Sequence, residues 1–171
     1  SQAIFTAAAP VRRAPPAEIE LTPYAGPDRR PLADLLEQTF VGTHDCPQLE
    51  GLRDLNDTLA GYRAHGAHDP SLWYVVRRSD EDAGVLLLTR HPTTGNWELI
   101  YMGVIPQFRG QGVGRQIVQY AIDAAYRGEA NQLILAVDAE NEPALRVYQE
   151  SGFRAWDQQI VYGRIRSPGS G

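Results

Sequence analysis

Apolar positions change period several times along the chain, and each change marks an element. Leu32, Leu35, Leu36 and Phe40 recur at helical spacing behind Pro31, which predicts a helix over 31–40 with one buried face. Leu52, Leu55, Leu59 and Tyr62 repeat that pattern over 49–65, with Gly66 as a stop. The period then shortens: 72–76 and 85–89 are rich in β-branched and apolar residues and flank a polar turn over 79–82, the signature of a hairpin. A second turn over 91–96 leads to a strand over 97–104. Val113, Ile117, Val118, Ala121, Ile122 and Ala125 then line one side of a helix that runs to about Arg127, and 133–138 returns as an apolar strand. Strand, helix and strand in this order predict a right-handed parallel crossover. Further strands are expected over 18–22, 153–157 and 159–166, with a helix after Asn141 between the crossover and the last pair.

The order makes the chain a mixed α/β protein with one domain over 18–166. Residues 1–17, rich in Ala and Pro, are expected to form a flexible leader, and 167–171 a frayed tail. A length of 171 residues with 43% hydrophobic composition suits one core that needs no metal or disulfide. The net charge of −5 argues against nucleic acid as the main partner and is compatible with a cationic amine. Cys46 is the sole cysteine, which excludes an intramolecular disulfide and points to a reducing cytoplasm. No apolar run approaches the roughly 20 residues that span a bilayer. The first residue is Ser1 rather than Met, so the chain is compatible with being part of a larger protein, and monomer and homodimer both stay open.

The chemistry concentrates where the 97–104 strand meets the next helix. Arg109-Gly110-Gln111-Gly112-Val113-Gly114-Arg115 places three glycines in five residues at a helix start, flanked by two arginines. Glycines admit positive φ and close backbone approach, and a helix N-terminus offers unpaired N–H groups, so the segment suits a phosphate. A plain tight turn is the other reading. The P-loop is excluded because the chain contains no lysine, and the dinucleotide fingerprint because the spacing is G-x-G-x-G.

The segment resembles the R/Q-x-x-G-x-G/A signature of the GNAT superfamily of acyl-CoA-dependent N-acyltransferases, and the lead-in from Val104 to Phe108 is similar too. The resemblance implies a GNAT-like fold with a central mixed sheet of six to seven strands flanked by about four helices, acetyl-CoA as cosubstrate, no metal, and an amine acceptor. It also implies that the backbone of Arg109, Gly110, Gln111, Gly112, Val113, Gly114 and Arg115 holds the coenzyme A pyrophosphate. A backbone N–H at Met102, Gly103 or Val104 would polarise the thioester carbonyl.

A second segment, 141–153, also resembles the family. Asn141 and Tyr148 are seven apart, two turns along one helical face, with small Ala144 between them, so a ligand could lie along that face. A tyrosine titrates near pH 10 and a thiol near 8.5, so a neutral tyrosine can protonate a departing thiolate. The resemblance assigns Tyr148 that general-acid role; the alternative is a core aromatic. Glu98 is the base candidate by the same resemblance, against a solvated glutamate or a water chain. His65 and His68 are weaker base candidates. His44-Asp45-Cys46 lacks the second ligand cluster a zinc site needs, and Cys46 has no histidine partner fixed by sequence.

The implied function is N-acetyl transfer to a primary amine of a small molecule or peptide by direct attack. A non-catalytic acyl-CoA-binding regulatory module and a transferase of longer acyl groups are the alternatives.

Overall fold

A computed structural model describes residues 2–7, 19–24, 32–42, 52–138 and 141–156. The elements run β1 (Gln2–Ala7), β2 (Glu20–Pro23), α1 (Leu32–Phe40), α2 (Leu52–Ala64), β3 (Trp73–Arg78), β4 (Glu81–His91), β5 (Asn96–Val104), α3 (Val113–Arg127), β6 (Leu133–Asp138), α4 (Glu142–Glu150) and β7 (Phe153–Trp156). Among the described residues one seven-stranded sheet forms, in the order β2-β3-β4-β5-β6-β1-β7. It is antiparallel except where β5 and β6 pair in parallel, as the crossover predicts. The mixed α/β fold and the expected number of strands and helices are therefore present.

Two expectations change. The leader is not flexible throughout: Gln2–Ala7 lies between β6 and β7, antiparallel to both. Composition averaged over 1–17 hides the run Ile4-Phe5-Thr6, whose residue types favour a strand. The 79–82 turn is also tighter than expected. Arg78 pairs with Glu81, and Ser79 and Asp80 both take positive φ (50° and 64°), the two-residue geometry that matches strand twist. The 159–166 strand, the 167–171 tail and Cys46 lie outside the described residues.

The centre of the sheet is dry. Val85, Leu86, Leu87 and Leu88 are fully buried in succession, because both faces of β4 are covered. Consecutive residues of β5 show which helices do the covering. A Cβ on Gly103 would meet Thr39 of α1, whereas Met102 and Val104 reach Gly114 of α3, so α1 and α3 sit on opposite faces. On α3 the buried set is the stripe expected from sequence, Val113, Ile117, Val118, Ala121, Ile122 and Ala125, with Ala124 added.

The feature that positions the site is a break in β5. Leu87 pairs with Tyr101 but Leu88 pairs with Leu99, so Ile100 is an extra residue, a β-bulge. Pairing with β6 stops at the same place, covering only Trp97, Glu98 and Leu99. Beyond Leu99 the parallel strands part, and among the described residues the C-terminal end of β5 has no strand partner on that side. Alternate N–H groups of 100–104 turn away from β4 into the gap.

Candidate active site

The gap is a cavity of about 530 Å³. Three walls converge on it: Tyr101, Met102, Gly103 and Val104 from β5; Phe108, Arg109, Gly110, Gly112, Val113, Gly114 and Arg115 from the loop and the start of α3; and Asn141, Pro143, Ala144, Val147 and Tyr148 from α4. Gly42, beyond α1, closes one side. The two segments singled out from sequence thus share one cavity.

The loop has the geometry that phosphate binding needs. Gly110 and Gly112 take left-handed φ of 74° and 80°, and a Cβ on either would meet only open space, so their backbones face the cavity unobstructed. Gly112 is the N-cap of α3 and makes no side-chain cap hydrogen bond. The first intrahelical bond runs from the Gln116 N–H to the Gly112 carbonyl, which leaves the N–H groups ahead of it without a helical acceptor. With the helix dipole behind them, these donors form an anion cradle. Gly114 has a different task. Its Cα side lies against Met102 Cε and Val104 Cγ2 (3.5 and 3.8 Å from an added Cβ), which lets α3 start close to β5.

The charged side chains of the loop are engaged elsewhere. Arg109 donates from Nε to the Val104 carbonyl (3.0 Å), from Nη1 to that of Val41 (2.5 Å) and from Nη2 to that of Thr39 (3.0 Å). Arg115 pairs with Glu150 of α4, both side chains half exposed. The Gln111 side chain accepts from Arg78 and donates to the Gln107 carbonyl (3.1 Å), away from the cavity lining.

On α4, Asn141 serves as the N-cap, its side-chain oxygen accepting from the Ala144 N–H at 3.3 Å. The cap fixes the start of the helix two turns before Tyr148, which is 7% exposed, packs edge-on against Phe153 with ring centroids 5.7 Å apart, and lines the cavity. A tyrosine so placed has its ring in the core and its position in the cavity wall, the combination a proton donor to a bound thiol requires.

Glu98 lies at the zipped end of β5. It is not among the residues lining the cavity; its Oε2 is 2.8 Å from His91 Nε2 and 3.4 Å from His65 Nδ1. His68 packs edge-on against Trp73 (4.7 Å) rather than in the cavity. A second cavity, about 570 Å³, occupies this end, lined by His68, Asp69, Arg90, His91, Trp97 and Glu129 among others. Among the described residues the only helix start in its lining is the short 3-10 turn Pro70–Leu72, capped by the Asp69 side chain, and the cavity has no Gly-x-Gly run, so its slightly larger volume does not make it the better anion site. Asp69 there is held below the usual carboxylate range by hydrogen bonds from Ser71, with the Arg90 guanidinium adding to the effect. Among the described residues no group of three His, Cys, Asp or Glu is placed to hold a metal, and His44-Asp45-Cys46 lies outside them.

Sequence reasoning missed what backs Tyr101, which lines the cavity on the α1 side. Thr39 is fully buried, donates to the Leu36 carbonyl (2.7 Å) and lies 2.8 Å from the Tyr101 hydroxyl. Tyr62 stacks on Tyr101 (centroids 5.8 Å) and Phe40 meets it edge-on (5.3 Å). The bulge at Ile100 turns Tyr101 to this face, and bulges leave no mark in a hydrophobic pattern.

Residues 24–153 match the sequence model of the Acetyltransferase (GNAT) family. The chain belongs to the GNAT acetyltransferase family. A mycothiol acetyltransferase from Paenarthrobacter aurescens is 36% identical over 75 residues, 44% of this chain and 23% of that protein, so the chain spans only part of the length of the curated relatives it matches. The fold is shared with a GCN5-related N-acetyltransferase from Sphaerobacter thermophilus (TM-score 0.65, 22% identity, 91% of this chain and 48% of that one). It is shared also with a GNAT family acetyltransferase from Elizabethkingia anophelis solved with acetyl-CoA bound (TM-score 0.61, 22% identity, 82% of this chain and 79% of that one). Among the described residues of this GNAT chain, no helix is long and apolar enough to cross a membrane.

Proposed function

We propose that the chain transfers the acetyl group of acetyl-CoA to a primary amine of a small molecule or peptide by direct attack. One observation carries the reading: the glycine cradle, the unzipped end of β5 and Tyr148 line the same cavity. The amides of 110–115 hold the pyrophosphate, and the acyl-pantetheine arm runs along the gap beside Asn141 and Ala144. An N–H of Met102, Gly103 or Val104 that faces the gap donates to the thioester oxygen, where negative charge develops as the amine adds. The tetrahedral adduct then expels the thiolate, and Tyr148 protonates it.

The amine must arrive neutral. Glu98 sits outside the cavity lining, between His91 and His65, so we assign it the base role through bridging water rather than by contact. The acceptor enters from the side lined by Gly42 and Tyr101. The curated relatives are named mycothiol acetyltransferases, and for that reason mycothiol-related amines belong in the acceptor panel beside amino acids and peptides. The test is release of free thiol from acetyl-CoA across that panel. Turnover with at least one amine supports the reading. Acetyl-CoA binding with no turnover by any amine would favour the binding-module alternative, and turnover only with longer acyl-CoAs the third reading.

A further inference from the structure

The arginine that opens the glycine loop is expected, from sequence, to offer its backbone to a phosphate, with its charge standing beside it. Its guanidinium is instead spent on three backbone carbonyls that belong to two layers of the molecule. Val104 O is the last carbonyl of β5, while Thr39 O and Val41 O lie at the C-terminal end of α1. Helix C-terminal carbonyls have no intrahelical donor and carry the negative end of the dipole, so a planar cation with forked donors suits them. Gly42 follows in left-handed φ (72°), and a Cβ there would come within 3.4 Å of Arg109 Nη1, so helix end and guanidinium are in close contact.

The consequence follows from position. α1 covers one face of the sheet and α3 the other, and Arg109 reaches across the open end of β5 to join them. The last turn of α1 also carries Thr39 and Phe40, which hold Tyr101, and is followed by Gly42, which lines the cavity. The structure assigns Arg109 as a positioning residue: its guanidinium fastens the pyrophosphate loop to the end of α1, so that binding at the loop orders the acceptor-side wall. This deepens the acetyl-CoA reading of the cavity and rests on it.

Hydrogen–deuterium exchange with the intact chain tests the assignment, comparing wild type with Arg109→Gln and Arg109→Lys, each with and without acetyl-CoA. Without ligand, Arg109→Gln is expected to speed exchange at 39–42 by about tenfold while Val85–Leu88 amides stay as slow as in wild type. With acetyl-CoA, wild type slows at both 110–115 and 39–42, and Arg109→Gln slows at 110–115 alone. Arg109→Lys, which keeps the charge but cannot span three carbonyls, falls between them. Protection of 39–42 by acetyl-CoA in Arg109→Gln equal to wild type would overturn the assignment. If Arg109→Gln also loosens Val85–Leu88, the lysine variant decides: protection of 39–42 as in wild type overturns the clamp, and partial loss supports it. If wild type binds no acetyl-CoA, the acetyl-CoA reading fails, and the ligand-free comparison still decides whether Arg109 fastens α1.

Discussion

The two ends of β5 have similar sequence character and opposite fates. At the start, Trp97, Glu98 and Leu99 pair with β6, and Trp97 is covered by the end of α3 so closely that a Cβ on Gly128 would lie 2.2 Å from its ring. At the finish, after the extra residue Ile100, the strand leaves β6, and Met102, Gly103 and Val104 line a cavity instead of a neighbour strand. Backbone groups buried in a sheet are ordinarily satisfied by the next strand. Here one end gives up that satisfaction, and a ligand able to accept hydrogen bonds can take it up. The lesson is that the reactive end of a strand can be located by where its ladder stops, before any side chain is considered.

Tyr148→Phe should separate the ends most sharply. The ring keeps its packing on Phe153, so acetyl-CoA affinity measured by calorimetry should stay within about threefold, while turnover in the thiol-release assay falls about 10²- to 10⁴-fold. Equal turnover would remove the acid from the open end. Gly112→Val should come next. A β-branched residue is strained at φ 80° by roughly 1–3 kcal/mol, and relief would move the cradle amides. Acetyl-CoA binding should weaken by at least tenfold, on the order of 1.4 kcal/mol, and the strain should lower the thermal midpoint by several degrees while unfolding stays cooperative.

Glu98→Gln probes the zipped end and should cost less, about tenfold in kcat/KM near neutral pH. Its mark is the pH profile: the acid limb of kcat/KM should change, because the amide cannot take a proton. Identical profiles would make Glu98 a purely structural partner of His91 and His65. The smallest effect lies away from both ends. Burial, aided by Tyr120, pushes the Tyr74 hydroxyl up to about 12. The unfolded chain ionises this group near pH 10, so its contribution to stability is complete below pH 10 and is lost as pH rises to about 12. Alkaline melts of Tyr74→Phe should lose less stability over that window than wild type.

How much of this was legible in the sequence depended on range. The cradle and the Asn141–Tyr148 face are local: glycine spacing, a helix start and two helical turns lie within short windows, and the structure brings both segments to one cavity. The backing of Tyr101 is not local. Thr39 and Tyr101 are 62 positions apart, and the two partners of Arg109 at the end of α1 are 68 and 70 away, so neither contact leaves a periodic trace. Arg109 therefore read as a backbone contact with a flanking charge, and the filling of its fork by carbonyls left no trace. Gln2–Ala7 escaped for another reason: the short run Ile4-Phe5-Thr6 favours a strand but was averaged into an Ala/Pro-rich segment, and its partners β6 and β7 lie far along the chain.

A crystal structure of the chain with coenzyme A bound tests the central claim most directly. The account predicts the pyrophosphate on the amides of 110–115, the pantetheine arm between Val104 and Ala144, and the thiol within hydrogen-bond reach, about 2.6–3.2 Å, of the Tyr148 hydroxyl or one water away. A pyrophosphate bound elsewhere, or a thiol on the far side of β5 from Tyr148, would contradict it.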